Sequence, residues 1–289
     1  MKKLLLSLAA VFASYGALAA PVLTLPTGPI YLEYTGQEQI AINGAHTWKD
    51  NKEINWGVFI VTALTMGEVV TPHDEIDKRD NFVSFFNNAA HGGQITGMFY
   101  GIQAGGKSEG NKFPATGGYL DLYWRDLSKL SASSTSSTAS GTTPATLPSV
   151  RCGYACATGF TEGTLLAHMY FDTGMDAYNA TNTITGSQIP STAGFNGQAA
   201  SYASVDASAG GAWADILNSD WFKVGQSGRD LRFDNVYRTN TNWNGGANIL
   251  GARVNAGSGQ AYLLPEPGAL SLMGLALVGM GAVLRRRRG

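Results

Sequence analysis

Ile54-Asn55-Trp56-Gly57-Val58-Phe59-Ile60-Val61-Thr62-Ala63-Leu64 is the stretch on which the fold turns. Side chains alternate across a strand, so Val58, Ile60 and Thr62 face one way while Phe59, Val61 and Ala63 face the other. Both sets are largely apolar, which marks a strand buried on both faces and central in its sheet. Working outward, residues 30–35, 94–102, 117–124, 163–171, 230–237, 248–254 and 260–264 are further strands, rich in β-branched and aromatic side chains. Segments 94–102 and 117–124 form a hairpin across a Gly-, Lys- and Pro-containing loop. With 37 glycines and no repeat of 20 to 50 residues, the pattern predicts an all-β chain: a single β-sandwich or jelly-roll-like domain.

Two short helices are expected within it. Thr71-Pro72-His73-Asp74 places a Thr cap, a Pro at the first position and an acid three residues after the cap, and Phe82, Phe85, Phe86 and Ala89 carry the periodicity to about residue 88. In residues 210–222, Trp213, Ile216, Leu217 and Trp221 share one stripe. Residues 131–149 collapse to Ser, Thr, Ala, Gly and Pro with no charge. Such a segment buries too little surface to fold alone and reads as a long loop or linker.

The two ends carry export information. Lys2 and Lys3, an apolar run over 4–12 and the small residues of Ala17-Leu18-Ala19 form a secretory signal peptide over residues 1–19, cut between Ala19 and Ala20. Its partners are the Sec translocon and signal peptidase. At the other end Pro265, Glu266 and Pro267 precede seventeen uncharged residues, 268–284, and then Arg285, Arg286, Arg287 and Arg288. Seventeen residues at 1.5 Å each make a helix of about 25 Å, just enough to span a bilayer. The arginines stay in the cytoplasm, leaving residues 20–264 outside the inner membrane.

This order of Pro-Glu-Pro, apolar span and terminal arginines resembles the PEP-CTERM sorting signal of exported proteins in Gram-negative bacteria. The resemblance covers residues 265–289 and concerns handling, since family members share this tail while their exported portions differ. It implies an exosortase-type membrane peptidase that recognises the tripeptide, an inner-membrane precursor with a periplasmic ectodomain, and a final place at the cell surface or outside the cell. It also implies an association with organisms that make exopolysaccharide, hence a role in biofilm or floc.

Chemistry is harder to find in residues 20–264. Without the two ends the chain holds 14 Lys and Arg against 20 Asp and Glu, a net charge of −6, with no basic track for nucleic acid. Cys152 and Cys156 form a local disulfide in an oxidising compartment, closing a loop short enough to contribute only about 2 kcal/mol. Residues 101–108, Gly101-Ile102-Gln103-Ala104-Gly105-Gly106-Lys107-Ser108, satisfy the phosphate-loop pattern by letter. That loop must open a helix whose amides hold the phosphates, and Gly110 and Pro114 break any helix here, so the match reads as chance. No nucleotide, metal or other cofactor is expected. His46, His73, His91 and His168 are dispersed, and Asp74, Glu75, Asp77, Asp172 and Asp176 lack calcium-loop spacing, which leaves them as solvated loop acids.

Tyr31, Tyr34, Trp124, Trp213, Trp221 and Trp243 are aromatic candidates for stacking on sugar rings, with core packing as their commoner use. The expectation is therefore a non-catalytic surface or matrix protein that touches exopolysaccharide. The alternative is an exported polysaccharide hydrolase, which needs two carboxyl groups about 5 to 10 Å apart across a cleft.

Overall fold

The structure is a computed structural model that describes residues 23–265 apart from 50–51, 82, 87–90, 108–109, 111, 127–150 and 189. In chain order the strands are β1 (Gly28–Ala41), β2 (Glu53–Thr71), β3 (Glu75–Lys78), β4 (Gly93–Ala104), β5 (Phe113–Asp126), β6 (Arg151–Gly153), β7 (Cys156–Ala157), β8 (Thr164–Asp172), β9 (Ile184–Gly186) and β10 (Asn196–Val205). Helix α1 (Ala214–Leu217), β11 (Phe222–Val224), β12 (Ser227–Arg229), β13 (Leu231–Thr239) and β14 (Ile249–Leu263) complete it.

One large antiparallel sheet contains ten of these strands, in the order β1-β14-β13-β10-β8-β5-β4-β2-β3, with β9 between β10 and β5. β1 also pairs with β2, from Ile30 opposite Met66 to Ile40 opposite Asn55. That last pairing closes the sheet on itself. The chain is all-β, but where the strand pattern suggested two stacked sheets it forms a single closed barrel. Each long strand pairs with the next long strand in sequence, and the last returns to the first. Closure removes the free edges that an open sheet would expose along its main strands.

The fifth barrel position, counted along the chain, is shared. β8 pairs with one half of β5, from Tyr119 opposite Tyr170 to Trp124 opposite Thr164. β9 pairs with the other half, Phe113 to Ala115. The chain leaves the wall after Asp172 and rejoins it at Ile184. Asp176 organises the excursion by accepting from the backbone amides of Tyr178 and Asn179 and from Asn182 Nδ2 at 2.7 Å.

Alternation sends every second side chain inward. Ile30, Leu32, Phe59, Val61, Leu120, Leu122, Met169, Phe171 and Phe233 are among the buried residues of the main core. One end is plugged from below: Trp213, Ile216 and Leu217 of the expected stripe pack into it with Leu25, while Trp221, the stripe's fourth member, packs instead beside Phe222. Their helix has only the four residues of α1. Gly28 lies opposite Leu263, so the chain enters and leaves the barrel at this plugged end.

The two-faced burial of residues 54–64 has a different cause from the expected sandwich. Phe59 and Val61 fill the barrel, while Trp56, Val58 and Ile60 face out and pack with Met98, Tyr100, Ala157, Phe160 and Trp243. The cover is the disulfide hairpin β6–β7 and the turn at Trp243. Arg151 fastens it, donating to both oxygens of the fully buried Glu53 at 2.7 and 3.2 Å. Its guanidinium lies 4.7 and 4.6 Å from the rings of Trp48 and Trp56.

The helix expected from Thr71 is absent over the described residues. Asp74 N donates to Thr71 O in a tight turn, and β3 runs back along β2 with Val69 opposite Ile76. His73, at φ 63°, occupies the turn. Ile76 is fully buried, and its amide donates to Gln260 Oε1. Long-range burial of this one side chain, with a backbone bond to β14, prevails over a good capping sequence.

Candidate functional site

On the outer wall of β4, β5 and β8 the register aligns chemistry that the sequence holds apart. Tyr100 lies opposite Tyr119, and Tyr119 opposite Tyr170. One step along, Asp121 lies between Met98 and His168. Local alternation explains why these residues point outward: Leu120, Leu122 and Trp124 take the inner face of β5, leaving Tyr119, Asp121 and Tyr123 outside.

Tyr119 and Tyr170 are 41 % and 43 % exposed, large for aromatic rings on a wall. The His168 ring stacks on Tyr119 with centroids 5.6 Å apart and planes 19° from parallel. Tyr100 packs against Tyr119 on the other side at 5.6 Å and meets Tyr154 edge-on at 5.3 Å. Beneath them Asp121 is buried, with Oδ1 2.5 Å from His168 Nδ1. Burial raises the Asp121 carboxyl above its ordinary range, and the hydrogen bond and charge of His168 oppose that rise. Tyr123 is pushed up to about 12, by burial first and then by Asp121. The arrangement is a row of contacting rings, Tyr154, Tyr100, Tyr119 and His168, with a hydrogen-bonded carboxyl holding the imidazole in place.

Beside the row lies a shallow depression lined by Lys52, Gly101, Gln103, Gly117, Gly118, Tyr119 and Tyr154. Glycine makes this hollow. A Cβ on Gly101, at φ +72°, would stand 2.5 Å from the Tyr154 hydroxyl. The hollow thus offers backbone, an amide and an ammonium next to aromatic faces, the combination that grips a pyranose by its apolar face and its hydroxyl edge.

The sequence-derived candidates fall elsewhere. Tyr34, Trp124, Trp213 and Trp243 are buried in the core, and Tyr31 and Trp221 are half-buried. The exposed tyrosines of the wall were legible only as an alternation, Tyr119-Leu120-Asp121-Leu122-Tyr123, with no sign of which strands flank it. Gly101 to Ala104 finish β4, and Gly105 N donates to Pro114 O in the turn toward β5, so the phosphate-loop letters form part of a hairpin. Lys107 is exposed there, and Ser108 lies outside the described residues.

Cys152 and Cys156 are joined by a disulfide with Cα atoms 5.1 Å apart. Asp172 and Asp176 are not solvated loop acids. Asp172 accepts from Ser204 and lies 3.4 Å from Arg229, and Asp176 is buried in its turn. Pro265 is exposed two residues past the end of β14. Ala19, Ala20, Glu266, Pro267 and Arg285 to Arg288 lie outside the described residues, as do the expected loop 131–149 and the span 268–284.

Among the described residues no helix is long and apolar enough to cross a membrane, and no three His, Cys, Asp or Glu side chains gather as a metal group. Comparisons with protein-family models, with curated proteins and with solved structures returned no match to this chain. The class that fold and site define is a closed antiparallel β-barrel with an aromatic outer wall.

Proposed function

We propose that this chain is an exported, non-catalytic surface protein that binds exopolysaccharide through the outer wall of β4, β5 and β8. Residues 1–19 direct export through the Sec translocon, and the PEP-CTERM-like signal at 265–289 holds the precursor in the inner membrane until an exosortase-type peptidase releases it. The surface protein then acts in biofilm or floc. The observation that carries the binding reading is the Tyr119–His168 stack, held by buried Asp121, with exposed Tyr170 opposite Tyr119 in register. Glycoside hydrolysis needs a pair of carboxyl groups around the bond, and this row contributes one, Asp121. The barrel also suits the delivery route, because the wall ends with Leu263, so cutting near Pro265 leaves its strand pairing whole.

The test is co-sedimentation of the purified exported protein with exopolysaccharide from its host. Tyr119→Ala and Tyr170→Ala should each weaken binding about three- to tenfold, as loss of one aromatic contact does. Tyr178→Ala, an exposed ring on the excursion after β8, should leave it unchanged. Equal binding by all three variants, with the far-UV circular dichroism of the parent, would overturn the reading.

A further inference from the structure

The barrel interior holds a feature the glycan reading does not use. A cavity of about 70 Å³ remains among Tyr34, Glu38, Asn55, Phe59, Phe99, Phe113 and their neighbours, toward the end opposite the plug. Eight-stranded barrels are just wide enough inside for packed side chains or one small ligand. Glu38 is 8 % exposed, and one of its oxygens accepts from Asn55 Nδ2 at 3.0 Å. Asn55 is held by a second bond to Gln39 O at 2.9 Å. Among the described residues no other side chain donates to Glu38, and no Lys, Arg or His lines the cavity.

A buried carboxylate without a cation is costly, and the cost falls when a counter-charge arrives. The walls favour the same charge, since aromatic faces attract cations within about 6 Å. We propose that this cavity binds a small organic ammonium ion, with Glu38 as its counter-ion and the surrounding rings as its walls. The volume limits the ligand to a few heavy atoms, an alkylammonium of one to three carbons.

The cavity comes nearest to solvent at the side of the barrel. Tyr34, Ala199 and Asn235 line both the cavity and a groove on the outer face. At this point the Tyr34 hydroxyl reaches across Gly257 of β14 and donates to Asn235 Oδ1 at 2.5 Å. The wall is irregular at this point, with register shifts between Tyr34 and Gly36 against β14 and between Val236 and Tyr237. The entry we propose is past Tyr34, at this irregular stretch of β14.

The titratable groups facing Glu38 are Tyr34 on its own strand and Tyr237 on β13, both neutral across the working range because burial raises them. The other strands contribute apolar, amide or hydroxyl side chains to the cavity. Burial pushes Glu38 up to about 7, opposed by its bond from Asn55. Ammonium binding requires the ionised form, so affinity should fall about tenfold per pH unit below 7 and level off above it.

The experiment is a titration of the purified exported protein at pH 8 with ethylammonium chloride, followed by NMR of the Glu38 carboxyl carbon, with ethanol and potassium chloride as neutral and inorganic controls. Saturable ethylammonium binding, at least tenfold tighter than either control and lost in Glu38→Gln, is expected. Glu38→Gln is isosteric and keeps the acceptor for Asn55. A second readout does not depend on that variant folding: in the unmodified protein, ethylammonium should lower the titration midpoint of Glu38. An unchanged midpoint, equal binding of ethanol, equal binding of potassium, or no saturable binding at pH 8 would each overturn the proposal. None of these results bears on exopolysaccharide binding by the outer wall.

Discussion

Glu38 carries its proton more tightly in the folded barrel than in the open chain, and a dependence of stability on pH follows. Its carboxyl is raised from 4.5 to about 7 by burial. A raised acid contributes its full stability below the unfolded value and loses it as pH climbs through the folded value. The protein should therefore lose up to about 3 kcal/mol between pH 4.5 and somewhat above 7 from this group. In Glu38→Gln that decline should vanish, with equal stability near pH 4 and a more stable variant at pH 8, as urea unfolding at the two pH values would measure. A variant that declines as steeply as the parent would place the charge outside the barrel. Gly257 makes a second test at this scale. A Cβ there would lie 2.2 Å from the Tyr34 ring, which is pinned by Asn235. Gly257→Ala should cost about 1 to 3 kcal/mol by overpacking, and Tyr34→Leu in the same chain should recover part of it.

The hairpin β6–β7 is the element whose role was least visible beforehand. Its cysteines announced a small clip, but nothing local revealed that the clip lies over Trp56, Val58 and Met98. Arg151, next to Cys152, makes the attachment, and its partner Glu53 is nearly a hundred residues away. Two predictions separate the cross-link from the anchor. Replacing both cysteines by serine should cost about 2 kcal/mol, the loop-closure value for so short a ring. Arg151→Ala should cost more, about 3 to 5 kcal/mol, because it leaves Glu53 buried without its bidentate cation. Thermal unfolding of both variants ranks them, and a larger loss from the cysteines would reverse the assignment. The β2–β3 hairpin makes the same point from the other side: Thr71-Pro72-His73-Asp74 satisfies helix capping, yet burial of Ile76 against the barrel turns the chain back as a strand.

At the scale of the molecule, the first long strand begins and the last one finishes at the same end of the barrel. Gly28 pairs with Leu263 there, close to both proposed export signals. In the host, the exported form should start at Ala20 and end near Pro265, as intact mass of the fractionated protein would establish. A surface form that retains residues 268–289 in a host with the peptidase would leave a plain membrane anchor. Local pattern was enough for part of this protein. Period-two alternation depends on neighbouring residues alone, so strands β1, β2, β4, β5, β8 and β13 were legible from the sequence, and so were the paired cysteines. β10 was missed because its inward positions before the terminal Val205 are Ala199, Ser201 and Ala203, small residues that leave no apolar stripe. Two predicted strands, 248–254 and 260–264, are one strand, β14, with its bulge at residues 255–256. Beyond the hairpin of β4 and β5, which the sequence pattern anticipated, what only the tertiary structure decided is which strands are neighbours. Tyr34 and Asn235 stand 201 residues apart in the chain and share a hydrogen bond. The closure of the sheet, the alignment of Tyr119 with His168 and the enclosure of Glu38 all depend on register between distant strands, which is set by how the whole barrel fills its interior and which no local period encodes.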